Sequence, residues 1–261
     1  MSLALAKACA HRWRRVLRVF LRVSSQRQIH RITSSTRWVQ RLCQRYLRQR
    51  KQREQGLLVL CRTHCVVNYL TFLVQVVSEI QELYPNVKAL PGLADVAKRQ
   101  EVDSLIENTV SELGELSVMI SNAGVISIHP LLDAPESELD RLISVNVKGL
   151  LNCGISAAKQ FIAQNLNKVA SGNTDPSGKI INAASISSYR AADYHGHYSM
   201  TKAAARSLTQ TLAIELAPHQ ITVNAYAPGI VATPMWSEID DTIGRINGVE
   251  KGETLKRVAG S

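Results

Sequence analysis

The chain has 261 residues, 45% of them hydrophobic, enough for one sizeable core or at most two small ones. Its formal net charge of +10 is unevenly placed: residues 1–55 hold fifteen Lys/Arg and a single acid, Glu54, while the rest holds sixteen bases and twenty acids. A uniformly basic nucleic-acid coat is therefore excluded for most of the chain, and five scattered cysteines (Cys9, Cys43, Cys61, Cys65, Cys153) exclude a disulfide framework.

In chain order, residues 1–55 show neither a sustained apolar face nor a Gly-rich turn. Residues 56–77 are the most apolar stretch, but Arg62 and His64 interrupt it, and the clean run from Cys65 is too short to span a bilayer. No membrane anchor is expected. Cys61-x3-Cys65 with His64 lacks a second ligand pair at finger-like spacing, so no metal site is expected either. From about residue 78 helices and strands alternate. Ser78–Tyr84 reads as the end of a helix and Val87–Leu90 as a short buried strand. Asp95–Leu113 reads as a helix and Leu116–Ile120 as a strand ending in Ser121-Asn122-Ala123-Gly124.

A long helical region is predicted from about Glu136 to Asn165, and Asn167–Gly178 as a polar turn. Lys179–Ala184 is the next strand, Tyr198–Leu216 a helix closed by Pro218, and Ile221–Ala227 a strand ended by Pro228-Gly229. Apolar strands alternating with helices of this length imply an α/β fold: a doubly wound parallel sheet of Rossmann type, with ligands beyond the C-terminal strand ends. The expected division is an atypical segment at 1–77 and a partial Rossmann-type domain at 78–261, incomplete at both ends.

The chemistry is concentrated in Tyr198-Ser-Met-Thr-Lys202, preceded by Ser185 at a strand end. Tyr and Lys at i and i+4 share a helical face, so the ammonium can sit near the phenol and lower its pKa. Tyr198 is then a candidate general acid/base, with Ser185 a hydrogen-bond donor to the same substrate oxygen. A lone Y-x3-K is weak, because exposed helix pairs of this spacing are common. Cys153, Met200 and His195 read as packing or surface residues; His197, beside Tyr198, reads either as a pocket-lining residue or, as is usual for a lone histidine, as a structural one.

Further motifs accompany the pair. Asn122-Ala123-Gly124 resembles the N-A-G turn of the short-chain dehydrogenases/reductases, and Asn146 in VNVKG resembles their active-site asparagine. IINAAS ending at Ser185, with Tyr198 and Lys202, resembles their catalytic serine, tyrosine and lysine. Pro228-Gly229-Ile-Val231-Ala-Thr233 resembles the turn on the nicotinamide side of the cofactor, and Asp95-Val96 the pair that contacts adenine. Five motifs in the family's order span about residues 78–248, and the acetoin/diacetyl reductase (2,3-butanediol dehydrogenase) branch is the most similar.

The resemblance implies roles. Tyr198 would be the acid/base, and Lys202 would bind the nicotinamide ribose and tune Tyr198. Ser185 would polarise the carbonyl, Asn146 would hold a relay water, and Thr233 would contact the carboxamide. It implies NAD or NADP as cofactor and a small carbonyl or alcohol substrate, with Met235 and Trp236 as an apolar lid suited to a hydroxyketone. The bland readings are a helix kink at Asn146, a strand-end cap at Ser185 and an N-cap at Thr233.

The sequence also departs from the family. The T-G-x3-G-x-G turn that receives the pyrophosphate is missing: the only glycine before Gly92 is Gly56. The acid ending the second strand is missing too, and the chain stops at Ser261, where the family continues into a last helix and strand. The family's homo-oligomeric assembly uses surfaces that include that part. Read one nucleotide later, suitable codons for Arg27–Ser35 can give G-R-S-I-A-L-R-L-A. Those for Arg37–Tyr46 can give D-G-F-N-V-S-V-N-D-I. Together these resemble the family's first helix and second strand, although Gln26 cannot yield the expected isoleucine. A frame-shifted start, restored by an insertion within 56–75, is the expectation for this segment, and its aspartate leans towards NAD. The competitors are a mitochondrial transit peptide and a basic nucleic-acid-binding arm. The functional expectation is a cytoplasmic oxidoreductase, with a mitochondrial location as the alternative. The other readings are an impaired relic or wrongly assembled fragment of such an enzyme, and a nucleic-acid-binding protein acting through residues 1–55.

Overall fold

The computed structural model describes residues 66–83, 85–169, 178–229, 234–250 and 252–253. The chain divides into two compact units, Arg53–Ile230 and a second made of Met1–Gln52 with Val231–Ser261. The basic segment, the Cys61/His64/Cys65 cluster, Val231 and Thr233 lie outside the described residues, as do the side chains of Met235 and Trp236.

In the larger unit, helix α1 (Val66–Leu83) buries Val76 and Ile80, four residues apart on one face. The boundary expected between 77 and 78 falls inside this helix. Val87–Leu90 is not a strand: among the described residues the sheet has three strands and this segment pairs with none, so apolar character alone does not produce a ladder. Helix α2 (Arg99–Leu113) starts four residues later than predicted, because Asp95 folds a turn ahead of it. The Asp95 carboxylate accepts from Ala97 N at 3.0 Å, and its carbonyl accepts from Lys98 N at 2.9 Å.

Strand β1 (Val118–Ser121) leads into the N-A-G segment. The long helix predicted next forms in three phases: α3 (Glu136–Leu142), a π-helical stretch (Ile143–Gly149) and α4 (Leu150–Val169). Asn167 belongs to α4 and not to the polar turn, since the helix runs on to Val169. The core face of α4 repeats at three- and four-residue steps through Cys153, Ala157 and Phe161. Strand β2 (Gly178–Ala183), helix α5 (Gly196–Leu216) and strand β3 (Ile221–Tyr226) complete the unit. Helix α5 buries Thr201, Lys202, Ala205, Thr209 and Leu212. A short 3-10 turn at Ala217–His219 containing Pro218 ends it, and Gln220 follows in a left-handed conformation at φ 56°.

The sheet order is β1-β2-β3, parallel throughout, with Ile120 opposite Ile181 and Ile180 opposite Val223. Helices α4 and α5 provide the two crossovers, as a parallel sheet requires. One core cluster joins Val102 and Ile106 of α2, Met119 of β1, Phe161 of α4, Ile180 of β2 and Val223 of β3. The common C-terminal ends of the strands thus lie at residues 121, 183 and 226, where the candidate site residues begin.

In the second unit, helix α6 (Pro234–Asn247) buries Ile239, Asp240 and Ile243. Among the described residues no helix is long and apolar enough to cross a membrane.

Candidate active site

Each strand end is tied to the next by backbone bonds. Ala184 N donates to Tyr226 O at 2.9 Å, and Ile186 N to Pro228 O at 3.0 Å, so the exits of β2 and β3 stay together past the last ladder pair. This brings Pro228-Gly229 beside the turn that carries Ser185. That serine caps a 3-10 turn: its Oγ accepts from Ser187 N at 3.1 Å, and Ser188 Oγ accepts from Ser185 N at 3.2 Å. Ser185 is therefore a strand-end cap whose oxygen accepts from the turn, while its hydroxyl also hydrogen-bonds with Tyr198. Ser188 Oγ in turn donates to Lys202 O at 2.8 Å, fastening the turn to α5.

Tyr198 and Lys202 stand one turn apart on α5. The Lys202 ammonium is 5.7 Å from the centroid of the Tyr198 ring and donates to Ala183 O at 2.9 Å. It is 5% exposed, and burial pulls its pKa down to about 8. Burial also raises the Tyr198 phenol, while a hydrogen bond with Ser185 pulls it back. Burial and the Ser185 hydrogen bond, and not the Lys202 charge expected from the sequence, are thus what set the Tyr198 phenol in this structure. His195 presents its ring edge-on to Tyr198, with centroids 6.5 Å apart. Met200 is exposed and Cys153 is buried, where desolvation pushes its thiol up to about 12. An inert packing cysteine results.

Asn146 sits in the π-helical stretch and is 1% exposed. Its Oδ1 accepts from Val125 N at 2.9 Å, and its Nδ2 donates to Val125 O at 2.9 Å and to Thr201 Oγ1 at 3.0 Å. The side chain is thus a clamp on the segment after β1 and on α5. Both of its N–H donors are used by protein, so a relay water cannot take a hydrogen bond from this amide. Gly124 lies where the clamp meets the lysine: a Cβ there would be 3.4 Å from both Asn146 Oδ1 and Lys202 Nζ. Ala123 packs on the core, and Asn122 accepts a hydrogen bond at its Oδ1 from the Tyr226 phenol.

The Asp95-Val96 turn is held to the same framework. Val96 is 1% exposed, and its carbonyl accepts from Asn152 Nδ2 at 2.8 Å. A Cβ on Gly149 would lie only 2.5 Å from Val96 Cγ2, so the last residue of the π-helical stretch must be glycine for the turn to seat. The structure thus brings together Asn122, Ala123, Gly124, Asn146, Ser185, Tyr198, Lys202, Pro228 and Gly229, and anchors Asp95 and Val96 through α4. Thr201, Ser188, Asn152 and Tyr226 were missed in the sequence. Thr201 had a visible signal, its place three residues after Tyr198 on α5, and Ser188 completes a capping box with Ser185.

Residues 62–244 match the family description for short chain dehydrogenase. The chain belongs to that family. Its three parallel strands and crossover helices are part of the family's Rossmann-type sheet, and relatives named as acetoin-type reductases support the branch read from the motifs. A diacetyl reductase [(S)-acetoin forming] of Staphylococcus epidermidis is 41% identical over 170 residues, 65% of this chain and 62% of that protein. An L-2,3-butanediol dehydrogenase of Corynebacterium glutamicum is 42% identical over 167 residues, 64% and 61% of the two chains. This chain spans about three-fifths of the length of these relatives.

Among solved structures, an NAD+-bound xylitol dehydrogenase superposes with a TM-score of 0.57 at 26% identity, covering 66% of this chain and 59% of that one. A gluconate 5-dehydrogenase from Burkholderia cenocepacia, in complex with NADP and tartrate, gives a TM-score of 0.57 at 25% identity, covering 71% and 66%. Neither nucleotide is favoured by these neighbours. The relatives are dehydrogenases and reductases and lend no support to a nucleic-acid-binding reading.

Proposed function

We propose that the chain is a nicotinamide-dependent oxidoreductase that interconverts a small ketone and its alcohol, with an acetoin- or diacetyl-like hydroxyketone as substrate and NAD as the favoured cofactor. The observation that carries this is the convergence of Ser185, Tyr198 and Lys202 at the end of β2, with a buried ammonium that has one acceptor, Ala183 O, among the described residues. An ammonium has three N–H donors, so two remain for ligand hydroxyls. A nicotinamide ribose, which offers two hydroxyls, fits that donor set. Gly124 places no Cβ against the ammonium, where one would lie 3.4 Å from Lys202 Nζ.

A nicotinamide held there would supply or accept the hydride at the substrate carbon. The remaining work falls to the protein. Tyr198, held above its ordinary pKa by burial, keeps its proton at neutral pH and can give it to the carbonyl oxygen. Ser185 can donate its O–H to the same oxygen, lowering the charge that builds there. Lys202 fixes the ribose and, near its pKa of about 8, can pass a proton towards the phenol once Tyr198 has given its own away. In the opposite direction the phenol first passes its proton towards the neutral Lys202 amine, and the resulting phenolate takes the proton of the alcohol.

The names of the two relatives support the substrate class; the basic segment 1–55 contains no glycine turn for the pyrophosphate. Purified chain should oxidise reduced nicotinamide in the presence of diacetyl or acetoin, read as loss of nicotinamide absorbance. Reduction of unrelated ketones at the same rate would overturn the substrate assignment, and no turnover with any small ketone would overturn the activity.

A further inference from the structure

Tyr226 occupies a position the family motifs do not explain. It ends β3, and its carbonyl accepts from Ala184 N at 2.9 Å, which fixes the residue next to Ser185. Its phenol reaches the other way, past the end of β2, and donates to Asn122 Oδ1 at the exit of β1. The segment 122–125 is therefore held at two points: at Asn122 by Tyr226 and at Val125 by the two hydrogen bonds of Asn146. Gly124 lies between these points, against the Asn146 amide and the Lys202 ammonium.

We propose that Tyr226 is a positioning residue: its bond to Asn122 sets the register in which residues 122–125 lie beside Lys202, and so shapes the nicotinamide side of the site. This rests on the oxidoreductase reading above for its function and on the contacts alone for its geometry. Burial and the neighbouring Tyr198 both raise the Tyr226 phenol, so it stays a donor throughout the range in which the site would work. Phenylalanine at 226 would keep the ring and remove the hydroxyl that donates to Asn122. Asn122→Ala removes the acceptor from the other end.

Amide hydrogen exchange on the full chain without cofactor tests the contact, and nicotinamide titration followed by fluorescence tests its consequence. Y226F is expected to speed exchange at residues 122–125 by about fivefold, the worth of one hydrogen bond, and to weaken nicotinamide binding by a similar factor. Exchange in the core of β2 should be unchanged. N122A should match it, and the double variant should be no worse than either single one. Unchanged exchange at 122–125, effects that multiply in the double variant, or equal acceleration in β2 would each overturn the proposal, the last by showing general loosening. Because the exchange measurement needs no cofactor, wild-type chain that bound no nicotinamide would count against the oxidoreductase reading and leave the positioning result to stand or fall by itself.

Discussion

Lys202 offers a measurement in which stability and function pull in opposite directions. The side chain is 5% exposed, and burial holds its pKa at about 8 against an ordinary value of 10.5. Between those values the unfolded chain carries the proton and the folded chain does not, so stability rises with pH across that window. Below about pH 8 both states are protonated and the folded state bears the full cost, roughly 3 kcal/mol for this gap. Replacing Lys202 with methionine removes that cost and keeps most of the volume. It also leaves Ala183 O without its donor, a loss of about 1–2 kcal/mol. Lys202→Met should therefore be as stable as wild type at pH 7, or more stable by about 1–2 kcal/mol. That advantage should disappear as the pH approaches 10, and the variant should have no measurable turnover. Urea denaturation of both chains between pH 6.5 and about 10 decides it, using the difference between the two stabilities so that other titrations cancel. A difference that stays constant across the range would show that Lys202 does not titrate early, and the account of its burial would be wrong.

Tyr198→Phe should lower turnover by about two to four orders of magnitude while leaving nicotinamide affinity within a few fold, read by steady-state kinetics and direct binding. Equal loss in both would mean that the phenol is a binding group and not the acid/base. Gly149→Ala should destabilise the chain by about 1–3 kcal/mol, because its Cβ would meet Val96 Cγ2 at 2.5 Å and the turn at Asp95-Val96 would have to move. Chemical denaturation measures this, and a neutral result would show that the turn yields freely.

The sequence displayed helix α5, and the C-terminal ends of all three strands to within one residue, because their signals are local. The stripe through Thr201, Ala205, Thr209 and Leu212 repeats with the period of a helix, and Pro218 marks its end. Val87–Leu90 failed for the complementary reason. It is apolar like a strand, but strand formation depends on a partner that no local pattern specifies. The phase change at Ile143–Gly149 was also hidden, since apolar spacing there suits an ordinary helix and the π turns are set by what Asn146 and Gly149 must meet. In the site, Ser185, Tyr198 and Lys202 were legible as a motif. Asn152 and Tyr226 were not, because each acts through a partner 56 or 104 residues away.

Those long-range bonds also show where the chemical part of the site gets its shape. Lys202 is held by Ala183 and Ser188, Ser185 by Ser187 and Ser188, and Asn146 by Val125 and Thr201. Every one of these partners lies between residues 122 and 229, within the larger unit. Among the described residues, these contacts fix Ser185, Asn146 and the Lys202 ammonium within residues 122–229. The pyrophosphate is a different matter, because its charge calls for backbone N–H groups or cations, and the described residues around Lys202 offer a single buried ammonium. On the proposed reading, affinity for a whole dinucleotide and competence at the reacting carbon would rest on different residues. A weak dinucleotide ligand would still be compatible with an intact acid/base centre, and turnover measured at saturating nucleotide separates the two.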